Sequence, residues 1–128
     1  MTQDPAAILA QLDQIRAGAE QRGRAAQRAT QRMQAIRVEA YSPRREVRVV
    51  LGASGLVEDV EYSHAAPTSS PLALARAFQR AHDDAIEKWS EAMDAINDEE
   101  FAGDPVLHSA MRTAAHESLP PRLSEPPE

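Results

Sequence analysis

PAAILAQLDQIRAGAEQRGRAAQRATQRMQAI, residues 5–36, decides the fold. Ile8, Leu12, Ile15, Ala19, Arg22, Ala26, Ala29, Met33 and Ile36 recur at alternating spacings of four and three. That is the seam of a long helix that packs along a partner helix. Asp4 is a good N-cap. Pro5 suits the first helical position, because its missing N–H would find no intrahelical acceptor anyway. At roughly 1.5 Å per residue the helix is about 48 Å long. One small domain cannot cover both ends of such a rod, so the stretch predicts a dimer.

Past Ile36 the period changes to two. Arg37-Val38-Glu39-Ala40-Tyr41 alternates as a half-buried strand does. Ser42-Pro43-Arg44-Arg45 is a turn, since proline restricts both itself and the serine before it. Residues 46–51 follow as a strand with Val47, Val49 and Leu51 on one face. Gly52-Ala53-Ser54-Gly55 is a tight turn, and residues 56–62 form a third strand with Leu56, Val60 and Tyr62 on the apolar side. The short connections make an antiparallel three-stranded meander.

Residues 63–69 are a small polar loop, and Ser70-Pro71 repeats the cap-then-proline start. The chain is helical again from there to about Phe101. Leu74, Phe78, Ala81, Ala85, Trp89, Met93 and Ile96 share one side of this second long helix. Its last residues, Asn97-Asp98-Glu99-Glu100, place negative charge at the negative end of the helix dipole, which predicts fraying. Gly103 ends the helix and Asp104-Pro105 starts a third, short and amphipathic, over residues 105–117. Four prolines among residues 119–128 predict a disordered tail. The fold class is therefore α+β. Residues 1–101 form one domain, and residues 102–128 form an extension.

Composition narrows the function. Hydrophobic residues make up 42% but aromatics only 4%, so the core is built from small side chains and pairing would supply buried area. Cysteine is absent, which removes disulfides, thiolate catalysis and Cys-based metal sites. No apolar run approaches the roughly 20 residues of a membrane span. The N-terminus has no basic segment leading into an apolar core, which argues against a signal peptide. Together these predict a cytoplasmic protein. The net charge of -6 hides an asymmetry: residues 1–50 carry nine arginines against five acids, whereas residues 51–128 carry five basic residues against fifteen acids.

The opening helix, Arg45-Glu46-Val47-Arg48-Val49-Val50-Leu51-Gly52, Gly55-Leu56-Val57-Glu58-Asp59-Val60-Glu61-Tyr62 and the alanine-spaced Leu74, Ala77, Ala81 and Ala85 carry a likeness. Over about residues 5–101 the chain resembles the YbaB/EbfC family of bacterial nucleoid-associated proteins. The resemblance implies an intertwined homodimer whose sheets join centrally and whose paired helices project as arms. It also implies binding of duplex DNA, with little sequence preference, through basic residues of those arms. One departure stands out. The arm tips would be the start of the first helix and the end of the second, and they carry Asp4, Asp13, Asp94, Asp98, Glu99 and Glu100. Acidic tips repel phosphate.

Arg24, Arg28 and Arg32 recur every four residues and make one stripe, either a phosphate-tracking ridge or a solvated face with Glu20 paired to Arg24. Arg16 lies on the same helix. Arg44, Arg45 and Arg48 belong to the first hairpin, where they extend the basic surface or guard a sheet edge. These seven arginines are the candidate DNA contacts. Ile8, Leu12, Ile15, Met33, Phe78, Trp89 and Met93 are the candidate dimer contacts. His82 beside Asp83-Asp84 fits a surface helix position better than a metal or acid–base site. The histidines share no ligand spacing, and nothing assembles a nucleophile, a base and an oxyanion site. The sequence therefore predicts a non-enzymatic protein with neither cofactor nor metal. The leading function is a dimeric, nucleoid-associated DNA binder. The competing one is a protein-binding adaptor or chaperone, of the secretion-associated kind, that kept the fold and uses the extension.

Overall fold

Three N-caps set the frame of the computed structural model, which describes residues 4–64, 66 and 70–123. The Asp4 carboxylate accepts from the Ala6 N–H, the Ser70 hydroxyl from the Ala73 N–H and the Asp104 carboxylate from the Leu107 N–H. Each cap precedes a proline at the first helical position, and each opens a helix: α1, Pro5–Gln34; α2, Pro71–Glu100; α3, Pro105–Glu117. Between α1 and α2 run β1, Val38–Tyr41, β2, Val47–Leu51, and β3, Val57–Tyr62. They form one antiparallel sheet in the order β1-β2-β3.

The α2 helix lies across β1 and β2. Small side chains allow the close approach: Ala77, Ala81 and Ala85 on the helix and Ala40 on β1 are all buried. Val47, Val49 and Leu51 fill the space beneath, as the alternation of β2 predicts, and Ile86, Trp89, Ile96 and Phe101 complete the core. Lys88 Nζ reaches over to donate to the Glu39 carbonyl at 2.9 Å.

The third strand departs from expectation. A bulge between Val50 and Leu51 sets Val57 opposite Leu51. Leu56 is 65% exposed and Tyr62 55%, and of the expected apolar trio only Val60 packs against the core. Helix α1 is divided as well. Residues 5–17 are exposed throughout, and burial begins only at Ala25 and Ala29. The inward position is Ala25 rather than Ala26.

Two more expectations fail. The end of α2 does not fray: it is helical through Glu100, Phe101 is buried, and the Phe101 N–H caps onto the Asn97 carbonyl at 3.0 Å. The tail is not disordered at its start. Leu119 packs on the core, Arg122 Nη2 donates to Glu87 Oε1 at 3.0 Å, and the Leu123 N–H donates to Asp83 Oδ1 at 2.8 Å. The expectations for residues 65, 67–69 and 124–128 lie outside the described residues.

The Gly52–Gly55 turn needs its second glycine. Gly55 has φ +76, and a Cβ there would stand 3.3 Å from Pro120 Cγ. Gly55→Ala is expected to cost about 1–2 kcal/mol, the penalty of a left-handed L-residue. Urea denaturation followed by circular dichroism measures it.

Candidate nucleic-acid interface

The seven arginines named as DNA contacts separate into two groups once the chain is folded. The end of α2 comes down beside the second half of α1. Arg28 Nε there donates to Glu100 Oε2 at 3.0 Å. Arg32 meets Glu99 at 2.6 Å and Glu100 at 3.3 Å. The Glu99 hydrogen bond comes first among the causes that push Arg32 further toward its charged form. Arg28, followed by Arg32, holds the Glu100 carboxyl below its ordinary value. Two of the three arginines of the stripe expected to face phosphate, Arg28 and Arg32, therefore already have their counter-charges.

Arg48 is also committed. On the sheet face opposite α2 its guanidinium lies 2.7 Å from Glu39, 3.4 Å from Glu61 and 3.6 Å from Asp59. Register puts these residues together, because Glu39 and Asp59 flank Val50 while Tyr41 and Glu61 flank Arg48. The Glu39 hydrogen bond leads in stabilising the Arg48 charge. Arg48 braces three strands through their carboxylates. Arg16 pairs with Glu20 at 3.5 Å, so Glu20 serves Arg16 rather than Arg24.

Among the described residues, Arg24, Arg44 and Arg45 have no carboxylate in ion-pair range. The Ser42–Val47 turn holds the latter two in place. The Ser42 hydroxyl accepts from the N–H groups of Glu46 and Val47 and donates to Glu46 Oε2 at 2.5 Å. Arg45 takes the left-handed region, φ 57, which is costly outside glycine. Its guanidinium lies 3.9 Å above the Tyr41 ring, a cation–π contact that offsets part of that cost.

Sequence reasoning missed two arginines of the same kind. Arg76 and Arg80 are four apart on α2, are exposed, and have no ion pair among the described residues. Their spacing was visible, but they sit in the acidic half of the chain, where the charge count hid them. With Arg44 they line a cleft of about 500 Å³ between the first hairpin and the first turns of α2.

The acidic end of α2 is balanced from its other side too. His108 Nε2 lies 2.6 Å from Asp98 Oδ1, and His116 Nε2 lies 3.1 Å from Asp94 Oδ1. Arg112 stands 3.9 Å from Asp94 and 4.0 Å from Asp98. Of the six carboxylates expected to repel DNA from the arm tips, Asp94, Asp98, Glu99 and Glu100 instead bind α1 and α3 to α2, while Asp4 and Asp13 stay on the exposed start of α1. The projecting tip is α1 alone.

Of the candidate dimer contacts, Trp89 is only 3% exposed in the single chain, and its indole N–H donates to the Ala53 carbonyl at 3.1 Å. It is a core residue. Phe78, Met33 and Met93 are half-buried against that same core. Ile8, Leu12 and Ile15 are 40%, 55% and 65% exposed. His82 is buried, not on the surface, with its ring centroid 6.0 Å from that of Phe78. No group of three metal-ligating side chains forms among the described residues, and no helix is long and apolar enough to cross a membrane.

A model of the YbaB/EbfC DNA-binding family matches residues 7–101. No curated protein and no solved structure matches the chain.

Proposed function

The chain belongs to the YbaB/EbfC DNA-binding family, and from that premise we propose that it acts in the bacterial cytoplasm as a non-enzymatic, dimeric, nucleoid-associated protein. It binds duplex DNA through phosphate contacts with low sequence preference. The observation that carries this reading is the family match joined to a set of guanidinium groups with no carboxylate in ion-pair range among the described residues: Arg24 on α1 and Arg44 and Arg45 on the hairpin. Arginine forks suit phosphate, and such contacts draw affinity from released counterions. The exposed stripe Ile8, Leu12 and Ile15 supports pairing of two copies along α1, since an apolar helical seam left in water is a docking face.

The test is duplex affinity as a function of salt, read by fluorescence anisotropy, with light scattering alongside. Roughly three phosphates per subunit give a log–log slope of about -5 for a dimer. Light scattering should return twice the 14.0 kDa chain mass. A flat salt dependence, or no retardation at micromolar protein in low salt, removes the proposal.

The adaptor reading keeps one specific support, the ion-paired state of Arg28, Arg32 and Arg48, which lowers the charge offered to DNA. A partner that is lost when residues 102–128 are deleted would favour it.

A further inference from the structure

We infer that Arg44, Arg76 and Arg80 form a phosphate-binding cleft, and that a backbone phosphodiester of the bound duplex sits in it. The inference rests on the proposed DNA binding for the source of the phosphate, but on its own geometry for the site.

Three observations carry it. First, the three guanidinium groups come from two elements and meet at one cleft, with Arg44 entering from the braced Ser42–Val47 turn and Arg76 and Arg80 from α2. Successive positions four apart lie on one helix face, so Arg76 and Arg80 line the same wall. Second, none of the three has a carboxylate in ion-pair range among the described residues. Arg28, Arg32, Arg48 and Arg112, by contrast, each face two or more carboxylates or share one. Glu46 also lines the cleft, but its carboxylate accepts the Ser42 hydroxyl and is turned into the hairpin. Three cations thus face one engaged anion. Third, the rest of the lining is apolar, from Pro43, Leu72, Ala73 and Ala77, apart from Ser70, whose hydroxyl already caps α2 by accepting from the Ala73 N–H. About 500 Å³ is more than one phosphate group needs and leaves room for the sugars on either side. A planar fork reads tetrahedral oxyanions in pairs of hydrogen bonds, and the apolar wall accepts the deoxyribose edge.

The experiment compares the full-length chain with Arg76→Ala/Arg80→Ala, a change at exposed helical positions where alanine keeps the helix. Duplex affinity should fall at least tenfold at low salt. The log–log slope should become shallower by about 0.9 per subunit, the one phosphate that the cleft holds. Inorganic phosphate is then titrated into both proteins without DNA, and the arginine Nε–H signals are followed by NMR. In the unaltered chain, shifts should appear at Arg44, Arg76 and Arg80. Unaltered duplex affinity and slope in the variant overturn the cleft while leaving DNA binding in place. Duplex binding absent from the unaltered chain, with phosphate still shifting these three signals, removes the proposed function and keeps the cleft for a free phosphate. Neither response removes both.

Discussion

Glu99→Gln/Glu100→Gln is expected to bind duplex DNA at least tenfold more tightly than the unaltered chain at low salt. Both substitutions keep the side-chain shape and remove the charges that hold Arg28 and Arg32. Two guanidinium groups per subunit then become available to phosphate. A dimer gains about four contacts, and its log–log salt slope steepens by about 3.6. The companion variant Arg28→Ala/Arg32→Ala, made with both glutamates intact, should change affinity about twofold or less, because charge already neutralised releases few counterions. Acid reports on the same tie. The folded state holds the Glu100 carboxyl below its ordinary value of 4.5, with the Arg28 hydrogen bond the first cause. A depressed carboxyl pKa adds stability above the unfolded value, and that stability is lost as pH falls through the folded value. The α1–α2 tie is therefore whole at neutral pH and fails in acid, below 4.5. Anisotropy titrations of the glutamine variant at two salt concentrations decide the matter. Affinity and slope equal to those of the unaltered chain would mean that the end of α2 is not what keeps the α1 stripe from DNA.

That prediction could not be reached from the sequence, and the reason is physical. Local signals were legible. Asp4-Pro5, Ser70-Pro71 and Asp104-Pro105 mark helix starts because a cap and a fixed φ act within a few residues, and each cap bonds as expected. The alternation in β2 was legible because both neighbouring strands constrain it. Leu56 and Tyr62 were misplaced because β3 is uncovered by α2 and follows a bulge that no nearby residue announces. The charge pairings were hidden for a different reason. Arg28 and Glu100 are 72 residues apart, so only the docking of α2 against α1 joins them. Arg76 and Arg80 likewise gain meaning only from the hairpin that brings Arg44 across the cleft.

Trp89 shows the same limit and permits the sharpest stability test. Its position in a helical seam fits an interface or a core equally well. The fold puts it under the Gly52–Gly55 turn: a Cβ on Gly55 would lie 3.5 Å from Trp89 Cε2, and the indole N–H reaches the Ala53 carbonyl. The side chain therefore joins α2 to the β2–β3 turn. Trp89→Ala is expected to cost about 3–5 kcal/mol, the transfer term plus the cavity left behind. Trp89→Phe, which keeps an aromatic ring but gives up the 3.1 Å bond to the Ala53 carbonyl, should cost about 1–2 kcal/mol. Trp89 is the chain's only tryptophan, so urea unfolding is followed by far-ultraviolet circular dichroism rather than by fluorescence. Concentration separates the two readings. A core tryptophan leaves the variant destabilised even where light scattering shows that its assembly state is unchanged. An interface tryptophan would give a well-folded variant that simply dissociates, and its unfolding midpoint would recover as protein concentration rises. That second pattern would move Trp89 back to the contact between copies.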